Sequence, residues 1–188
     1  MLPAATFTPA RRPIRCALSR ERDNSIASLT LRDARPDDAG LLLSYIRELA
    51  EFEKLSHECV ADPALLRRFL FEDKKAHALM AEWDGQPAGF ALYFYNFSTF
   101  VGRPGLYLED VFVRPAFRRN GIAKSIFRFL AKRALAEGCG RMEWSVLDWN
   151  ENAVAFYRAM GAKPMDEWTV QRLTGDALER LAQGHSSP

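Results

Sequence analysis

The sequence predicts one α/β domain in which helices flank a mixed β-sheet, with the element order βααβββαβαβ plus a short C-terminal helix. This order follows from the apolar residues, which alternate in segments typical of strands and recur every three to four positions in segments typical of helices. The chain has 188 residues, and 48% of them are hydrophobic. One domain of this size can bury a full core, so a second catalytic domain is not expected.

The first half of the predicted domain contains a strand, two helices and a hairpin. Residues 28–33 alternate as a strand, and the turn at Pro36 begins a helix. The apolar face of this helix consists of Leu42, Ile46, Leu49 and Phe52. A shorter helix follows Pro63. Residues 76–83 and 87–96 are apolar runs joined by an Asp-Gly pair, which predicts a β-hairpin.

The second half of the predicted domain alternates strands and helices. The predicted strands cover residues 106–113, 141–147 and 168–173. A helix with Ile122, Ile126, Phe129, Leu130 and Ala134 on one face follows the first of them. Two more helices are predicted over residues 150–160 and 175–183.

Residues 1–26 show no regular apolar spacing, and we expect a disordered N-terminal extension there. The domain itself is predicted over residues 28–183, with a C-terminal tail at 184–188. The extension is rich in arginine, as transit peptides are, but it has neither an apolar core segment nor a clear amphipathic helix. A real extension and an upstream start codon are the two remaining explanations.

Charge and hydropathy argue against nucleic acid and membrane as partners. The formal net charge is +2, but residues 1–24 contain five arginines and two acidic residues and carry +3, so the rest carries −1. Phosphate contacts require clustered Lys and Arg, and a net charge of −1 removes most of the electrostatic footprint that a nucleic-acid binder needs. The longest apolar stretches of the chain fall far short of the roughly 20 residues that cross a bilayer.

The cysteines and histidines predict neither a metal site nor covalent catalysis. Cys16, Cys59 and Cys139 are odd in number, widely separated and without a C-x-x-C spacing, so no disulfide framework or zinc ribbon is expected. The three histidines are equally scattered and offer no base beside a nucleophile. We therefore expect a reducing compartment, most simply the cytoplasm.

The sharpest local motif is R-R-N-G-I-A at residues 118–123, between a predicted strand and a predicted helix. Backbone N–H groups and the helix dipole favour an anion at such a position, so the motif is typical of a phosphate-binding loop. An ordinary basic helix start explains the same residues. The motif is neither the Walker sequence nor the G-x-G-x-x-G of dinucleotide-binding folds.

Three motifs follow one another in a fixed order. They are L-E-D-V-F-V-R-P at residues 108–115, R-x-x-G-x-A at 118–123 and D-W-N-E-N-x-x-x-F-Y-x-x-x-G-A at 148–162. This set resembles the GCN5-related N-acetyltransferases, the GNAT superfamily. Within it, R-E-L-A-x-F-E-K at 47–54 and Y-L-E-D at 107–110 resemble the diamine (spermidine/spermine) and thialysine acetyltransferases. The resemblance implies the GNAT fold, with a mostly antiparallel mixed sheet, and acetyl-CoA as acetyl donor.

The resemblance also implies an acetyl-CoA site made mostly of backbone, with the pyrophosphate at residues 118–124 and the pantetheine arm along the strand edge at 111–113. The implied cofactor-binding residues are Val111, Phe112, Val113, Arg118, Arg119, Asn120, Gly121, Ile122, Ala123, Lys124, Asn150 and Tyr157. Asn150 is also a natural helix N-cap. Arg119 stands where a glycine is common in the family, and Lys124 where a small residue is common.

Two residues match the proton-transfer groups of the family. A protonated alkylamine, with a pKa of about 10.4, must lose a proton before it can attack a thioester. Glu109 matches the carboxylate that removes this proton, usually through water, and Tyr157 matches the tyrosine that protonates the departing thiolate. From the residues alone, the alternatives are a salt-bridged structural role for Glu109 or Asp110 and a core position for Tyr157.

The implied acceptor site combines acids with aromatic rings, which suits a cation. Its residues are Phe52, Glu53, Glu109, Glu143, Trp144, Ser145 and Asp166. Glu53 and Asp166 are equally well explained as solvated surface charges.

The predicted function is therefore N-acetyl transfer from acetyl-CoA to a primary amine of a small cationic acceptor by direct attack in a ternary complex. A polyamine, a diamine or a lysine analogue fits this description. The alternatives are a protein lysine or N-terminal acetyltransferase and a non-catalytic acyl-CoA-binding regulatory module on the same fold. The resemblance further implies a homodimer, for which surplus aromatic residues would supply an interface.

Overall fold

The structure is a computed structural model that describes the backbone of residues 14–17 and 28–184, and the side chains of residues 28–184. The chain divides into two compact units, of which one ends at Ser145 and the other begins at Val146. No helix within the described residues combines the length and apolar character needed to span a membrane.

A six-stranded sheet forms the centre of the first unit, and its strands lie in chain order. The strands are β1 (Ile14–Ala17), β2 (Ser28–Asp33), β3 (His77–Trp83), β4 (Gln86–Ser98), β5 (Arg103–Val113) and β6 (Arg141–Trp144). Neighbouring strands are antiparallel, except that β5 and β6 are parallel. The predicted α/β class with a mixed, mostly antiparallel sheet is confirmed.

Three helices accompany this sheet, α1 (Ala39–Phe52), α2 (Pro63–Arg67) and α3 (Ile122–Ala136). The Asp62 carboxylate caps α2 by accepting from the backbone N–H groups of Ala64 and Leu65 at 2.7 and 2.9 Å. A π-helical turn at Arg68–Glu72 follows α2 directly. The helices predicted from apolar spacing are therefore confirmed for this unit.

Helix α1 and the π-helical turn pack on one face of the sheet. The buried side chains of this core are Leu42, Tyr45, Leu70, Ala78, Met80, Phe90 and Phe112. The Tyr45 ring stacks on Phe90 with 5.6 Å between centroids. Because side chains alternate along a strand, Leu92 of β4 lies on the same face as Phe90.

Helix α3 packs on the opposite face and is held there by an ion pair between the buried Arg133 and the half-exposed Asp33. Arg133 Nη1 lies 2.7 Å from Asp33 Oδ1 and donates a hydrogen bond to the Tyr93 hydroxyl. Its guanidinium carbon also lies 4.8 Å from the centre of the Phe129 ring. Arg133 is almost fully buried, and removal of one partner from such a pair leaves an uncompensated charge.

The second unit contains α4 (Glu151–Ala159) and α5 (Gly175–Ala182). The prediction of a strand over residues 168–173 is wrong, because these residues form no strand in the structure. Trp168 and Val170 are 70% and 79% exposed. Alternation alone does not form a strand, since strand stability depends on packing against a neighbour.

The strand predicted over residues 141–147 is shorter in the structure, because β6 ends at Trp144.

One expectation for the N-terminal segment needs correction. Residues 14–17, inside the segment expected to be disordered, form β1 and pair antiparallel with β2, with Ile14 opposite Leu31 and Ala17 opposite Ser28. Such an edge strand is held by main-chain hydrogen bonds, which any sequence without proline can make, so apolar spacing did not predict it. The rest of the segment, and the predicted tail beyond residue 184, lie outside the described residues.

Candidate active site

A β-bulge in β5 carries Glu109. The register of β5 against β4 passes from Asp110 to Leu108 in one step, so Glu109 has no Cα partner on β4. A bulge of this kind places an extra residue in one strand, bends that strand and re-aims a side chain. Glu109 is exposed, whereas Asp110 is partly buried. The bulge therefore presents the Glu109 carboxylate to solvent beside the more buried carboxylate of Asp110.

Three carboxylates share this region. Burial, together with the negative charges of Glu109 and Glu53, raises the pKa of Asp110 from 3.8 to about 6. Glu53 caps the C-terminal end of α1, and burial raises the pKa of its carboxyl as well. Glu53, Glu109 and Asp110 are hereafter called the carboxylate cluster, in which Glu53 and Glu109 are both close enough to repel a charge on Asp110. An ammonium ion placed among them relieves this repulsion.

Arg118 connects the C-terminal end of α1 with the loop that precedes α3. Its guanidinium carbon lies 5.1 Å from the ring centre of Phe52 and 5.9 Å from that of Phe112. Its Nε donates to the backbone carbonyl of Val113 at 3.0 Å. Because Glu53 follows Phe52, the predicted cofactor loop and the predicted acceptor residues meet at Arg118.

Helix α3 begins after a left-handed turn. The φ angles of Arg119 and Gly121 are 65° and 76°, a region that suits glycine and strains other residues. Ser125 N–H donates to the Gly121 carbonyl at 3.0 Å, so the N–H groups that precede it at the helix start have no intrahelical acceptor. The first turn contains no acidic residue, and Arg119 and Lys124 are exposed. This helix start therefore suits an anionic ligand.

The strand edge next to this loop is open to an extended ligand. Among the described strands, β6 pairs only with residues 105–108 of β5. Residues 111–113 lie beyond that pairing, so their main chain faces no strand on the β6 side. Phe112 and Ile122 are buried in the core, and Asn120 Nδ2 donates to the Phe117 carbonyl at 3.2 Å. A ligand at this edge would therefore contact the main chain of Phe112 and Ile122 rather than their side chains.

Trp144 and Ser145 make contacts with different neighbours. The Trp144 ring packs against Phe127 of α3 at 5.0 Å between centroids. Ser145 Oγ lies within hydrogen-bond distance, 2.9 Å, of the Tyr107 hydroxyl. Consecutive residues of an extended chain point to opposite faces, so Ser145 rather than Trp144 lies on the side of Tyr107. The observed contact of Trp144 is one of packing, and its role in acceptor binding stays a prediction.

Glu143 is held by two residues that sequence reasoning missed. Its Oε2 atom lies 2.8 Å from Arg141 Nε and accepts from Asn96 Nδ2 at 3.0 Å. Arg141 and Glu143 are two positions apart on β6, and that spacing could have placed them on one face. The contribution of Asn96 had no such signal, because it depends on how β4, β5 and β6 pair.

In the second unit, Asn150 is the N-cap of α4 and Tyr157 lies within that helix. Asn150 Oδ1 accepts from the backbone N–H of Ala153 at 3.3 Å, which confirms the predicted N-cap. Tyr157 is partly buried, and its ring lies 5.6 Å from that of Phe156. Seven positions are nearly two full turns, so Asn150 and Tyr157 occupy the same side of the helix. Asp166 lies in an exposed turn after this helix.

Other chemistries find little support among the described side chains. No group of three or more His, Cys, Asp and Glu side chains within residues 28–184 is arranged to hold a metal ion. Burial raises the pKa of the Cys139 thiol, which disfavours the thiolate that a nucleophile requires.

Comparison with known proteins agrees with this interpretation. The model of the Acetyltransferase (GNAT) family matches residues 43–162. The thialysine N-epsilon-acetyltransferase of Mus musculus is 39% identical over 169 aligned positions, and the alignment covers 84% of this chain and 99% of that protein. The L-ornithine N5-acetyltransferase of Arabidopsis thaliana is 32% identical over 197 aligned positions, gaps included, and the alignment covers 80% of this chain and 86% of that protein.

A solved structure shows the same fold. An integron cassette protein from the mobile metagenome of V. cholerae superposes with a TM-score of 0.70 and covers 82% of this chain and 98% of its own. It is 24% identical to this chain, so the likeness concerns the fold alone.

Proposed function

Because the chain belongs to the GNAT family of acetyltransferases, we propose that it acetylates a primary amine on a small cationic acceptor. Family membership makes the protein an N-acetyltransferase with acetyl-CoA as its acetyl donor. The relatives named above act on thialysine and L-ornithine, both of which carry an amine on a flexible chain. A polyamine, a diamine or a lysine analogue is the proposed acceptor here.

The carboxylate cluster is the observation that carries this proposal. A raised pKa for Asp110, caused by burial and by two neighbouring carboxylates, marks a region of concentrated negative charge. A cation that binds there is attracted by these carboxylates and reduces the repulsion that acts on Asp110. A neutral amine is attracted much less strongly, so the cluster favours acceptors that bind as ammonium ions.

The residues of the cofactor loop fit the chemistry of acetyl-CoA. The N–H groups at the start of α3 and the positive charges of Arg118, Arg119 and Lys124 suit its pyrophosphate. The open edge at residues 111–113 suits the amide groups of its pantetheine arm, which pair as a strand does. Asn150 is proposed to contact the cofactor on the strength of the family motif. Acetyl-CoA, when bound, supplies a thioester whose carbonyl carbon is open to a nucleophile.

The proposed chemistry uses three proton transfers, of which two involve protein side chains. Glu109 accepts a proton from the acceptor ammonium, directly or through water, and so frees the nitrogen lone pair. The nitrogen then forms a bond to the acetyl carbonyl carbon, and the bond from that carbon to sulfur breaks. Tyr157 gives its hydroxyl proton to the departing thiolate, which a phenol can do because its ordinary pKa of about 10 keeps it protonated. The proton left on the new amide nitrogen goes to water.

We further propose a homodimer in the cytoplasm. Phe97, Phe100 and Val101 are 61%, 94% and 57% exposed around the turn between β4 and β5, which supports an apolar contact surface there. Cys59 and Cys139 are free thiols, which supports a reducing compartment. Sedimentation at several protein concentrations tests the dimer, and a monomer at every concentration would contradict it.

An acceptor panel tests the proposed function. Release of the free thiol of CoA is followed with polyamines, diamines, lysine analogues, a neutral monoamine and a lysine-containing peptide. We expect the small cationic amines to give the highest kcat/KM, and added salt to raise their KM by screening the cluster. Preference for the peptide would contradict the proposal and indicate a protein acetyltransferase, and absence of turnover with every amine would indicate a non-catalytic module.

A further inference from the structure

The carboxylate cluster is assembled from two separate parts of the chain. Glu53 directly follows α1, whereas Glu109 and Asp110 lie in β5. The negative charges of Glu109 and Glu53 both raise the pKa of Asp110, so the Glu53 carboxylate lies close enough to act on Asp110. Like charges repel, and this repulsion pushes the end of α1 away from β5. The end of α1 therefore stays beside β5 only if other contacts outweigh the repulsion.

Arg114, the first residue after β5, makes such a contact. Its Nε and Nη2 atoms donate to the Glu48 carboxylate of α1 at 2.9 and 2.6 Å, and its guanidinium carbon lies 4.5 Å from the centre of the Tyr45 ring. Its backbone N–H donates to the Ala88 carbonyl of β4 at 2.9 Å. Arg114 is thus fixed to the sheet by its main chain and to α1 by its side chain.

A second contact follows one helical turn later. The guanidinium carbon of Arg118 lies 5.1 Å from the centre of the Phe52 ring. Arg114 and Arg118 are four residues apart, and so are Glu48 and Phe52, which share one side of α1 because four residues are about one turn. The C-terminal part of α1 therefore lies along residues 114–118, and Glu53 comes directly after it.

The geometry of the Arg114–Glu48 pair suits positioning more than stability. The two side chains are 29% and 35% exposed, and ion pairs that are open to solvent usually add little to the free energy of unfolding. A bidentate pair nevertheless fixes the orientation of the elements that it joins, because two parallel hydrogen bonds allow little rotation. Opposite charges held one turn before Glu53 thus oppose the repulsion between Glu53 and Asp110.

We propose that Arg114 and Glu48 are positioning residues that hold Glu53 beside Asp110 and so keep the carboxylate cluster assembled before an acceptor binds. The pair acts through Glu53 rather than on the acceptor itself. Charges that are already in place attract an ammonium ion without the further cost of bringing them together. This inference rests on the proposed function, because the acceptor that it serves is the one proposed above.

The titration of Asp110 in the protein without its substrates tests this inference apart from activity. Arg114→Gln should lower the pKa of Asp110, because Glu53 then moves away and water reaches the Asp110 carboxyl. The direct loss of a positive charge would raise that pKa instead, since a nearby cation favours the carboxylate. The sign of the change therefore separates positioning from direct electrostatics. NMR of the side-chain carboxyl carbon measures it.

Glu48→Gln breaks the same contact from the other side. It should also lower the pKa of Asp110, and the double variant, Arg114→Gln with Glu48→Gln, should lower it no further than either single variant. KM for a diamine should rise about 3-fold, which corresponds to a charge moved from about 6 Å to about 8 Å at an effective dielectric constant of about 20. Because Glu48→Gln leaves β5 unchanged, its affinity for acetyl-CoA should equal that of the wild type.

Arg32→Gln is the matched control. Arg32 Nη1 lies 2.7 Å from the carboxylate of Asp38, which is the N-cap of α1, so Arg32 holds the opposite end of the same helix. That end lies about 20 Å from Glu53 at 1.5 Å per residue. The control should lower Tm at least as much as Arg114→Gln does and should leave the pKa of Asp110 unchanged.

The possible results distinguish the positioning role from the proposed function. A pKa of Asp110 that rises or stays the same in Arg114→Gln or in Glu48→Gln, or that falls equally in Arg32→Gln, would overturn the positioning role and leave the acetylation of small amines standing. Absence of turnover with every amine in the wild type would overturn the proposed function, whereas the titration would still decide whether the pair holds the cluster together.

Discussion

Asp110 and Glu109 are adjacent in the chain, but the bulge gives their carboxylates different surroundings. Asp110 is partly buried and experiences the charges of Glu109 and Glu53, whereas Glu109 is exposed. An exposed carboxylate exchanges protons readily with water, which suits a base that acts through a water molecule. The more buried carboxylate suits a fixed negative charge that orients an ammonium ion.

Glu109→Gln should lower kcat about 100-fold at neutral pH, the usual effect of removing a general base. The deficit should shrink as the pH approaches about 10, because the amine then loses its proton without help. A pH series of initial rates measures this, with Glu179→Gln on α5 as the matched control. A deficit that is the same at every pH would assign Glu109 a structural role.

Asp110→Asn should stabilise the protein at neutral pH while weakening its affinity for a cationic acceptor. The folded state holds the Asp110 proton up to about pH 6, whereas an unfolded chain releases it near its ordinary value of 3.8. Between these pH values the folded state binds more protons, so this carboxyl makes the folded protein less stable as the pH rises. The asparagine variant avoids that loss, which is about 3 kcal/mol because the pKa of Asp110 rises by about two units and one unit is about 1.4 kcal/mol.

Thermal unfolding of wild type and Asp110→Asn at several pH values tests this sign. The variant should have the higher Tm at pH 7, and the difference should vanish below about pH 4, where both states of the wild type are protonated. A variant that is less stable at pH 7 would mean that the ionised Asp110 has a partner that stabilises it.

Tyr157→Phe should lower kcat about 100-fold or more and change Tm little, because it keeps the ring and deletes the proton donor. Steady-state kinetics and thermal unfolding of the same sample measure both effects. Tyr45→Phe is the control, since it deletes a hydroxyl from the α1 core, and it should leave kcat unchanged. Full activity in Tyr157→Phe would contradict the proton-donor role and indicate that Tyr157 serves only in packing.

At the scale of elements, β5 connects the core to the site. Its residues 105–108 pair with β6 on one side, whereas its residues 111–113 extend beyond that pairing. The bulge at Glu109 lies between these two parts. One strand therefore supplies two of the carboxylates, the open edge proposed to bind the acetyl donor and, through Phe112, part of the α1 core.

The proposed pyrophosphate site lies at the start of α3, and substitutions of Gly121 test this proposal. Gly121→Val places a β-branched side chain at a φ of 76°, so it both strains the turn and blocks close approach of a phosphate. Gly121→Asn is the matched variant, because asparagine tolerates this φ but still carries a side chain. We expect calorimetry to show weaker acetyl-CoA binding for both variants, with a loss of Tm mainly for valine.

The two outcomes for Gly121 separate conformation from access. Unchanged acetyl-CoA affinity in a folded Gly121→Asn variant would show that only the backbone angle matters. Unchanged acetyl-CoA affinity in both variants would contradict the proposal that this loop binds the pyrophosphate.

At the scale of the molecule, the N-terminal edge of the sheet is where the structure differs most from the expectation based on sequence. Deletion of residues 1–22 removes β1 and uncovers the edge of β2, so we expect a lower Tm and more self-association than in the full chain. Deletion of residues 1–12 keeps β1 and is the control. Acetyl-CoA affinity should be unchanged in both, because the cofactor loop is not part of this edge. Equal Tm values for the two deletions would show that β1 adds no stability.

The sequence alone determined those features that neighbouring residues encode. Helix α1, the hairpin between β3 and β4 and the cap at Asn150 depend on residues a few positions apart, and each is confirmed. On the predicted apolar face of α1, Leu42 is buried and Ile46 and Leu49 pack against the core, but Phe52 is 40% exposed. The motif at residues 118–123 also predicted a helix start, because the left-handed turn before α3 and the residues that form it are local.

Only the tertiary structure decided which distant residues meet. The bulge depends on the register between β4 and β5, and the raised pKa of Asp110 depends on Glu53 of α1. The pairing of Arg141 and Glu143 with Asn96 likewise depends on how three strands align. Apolar periodicity reports which side of an element is buried, but strand register and electrostatic neighbours arise from packing between segments far apart in the chain.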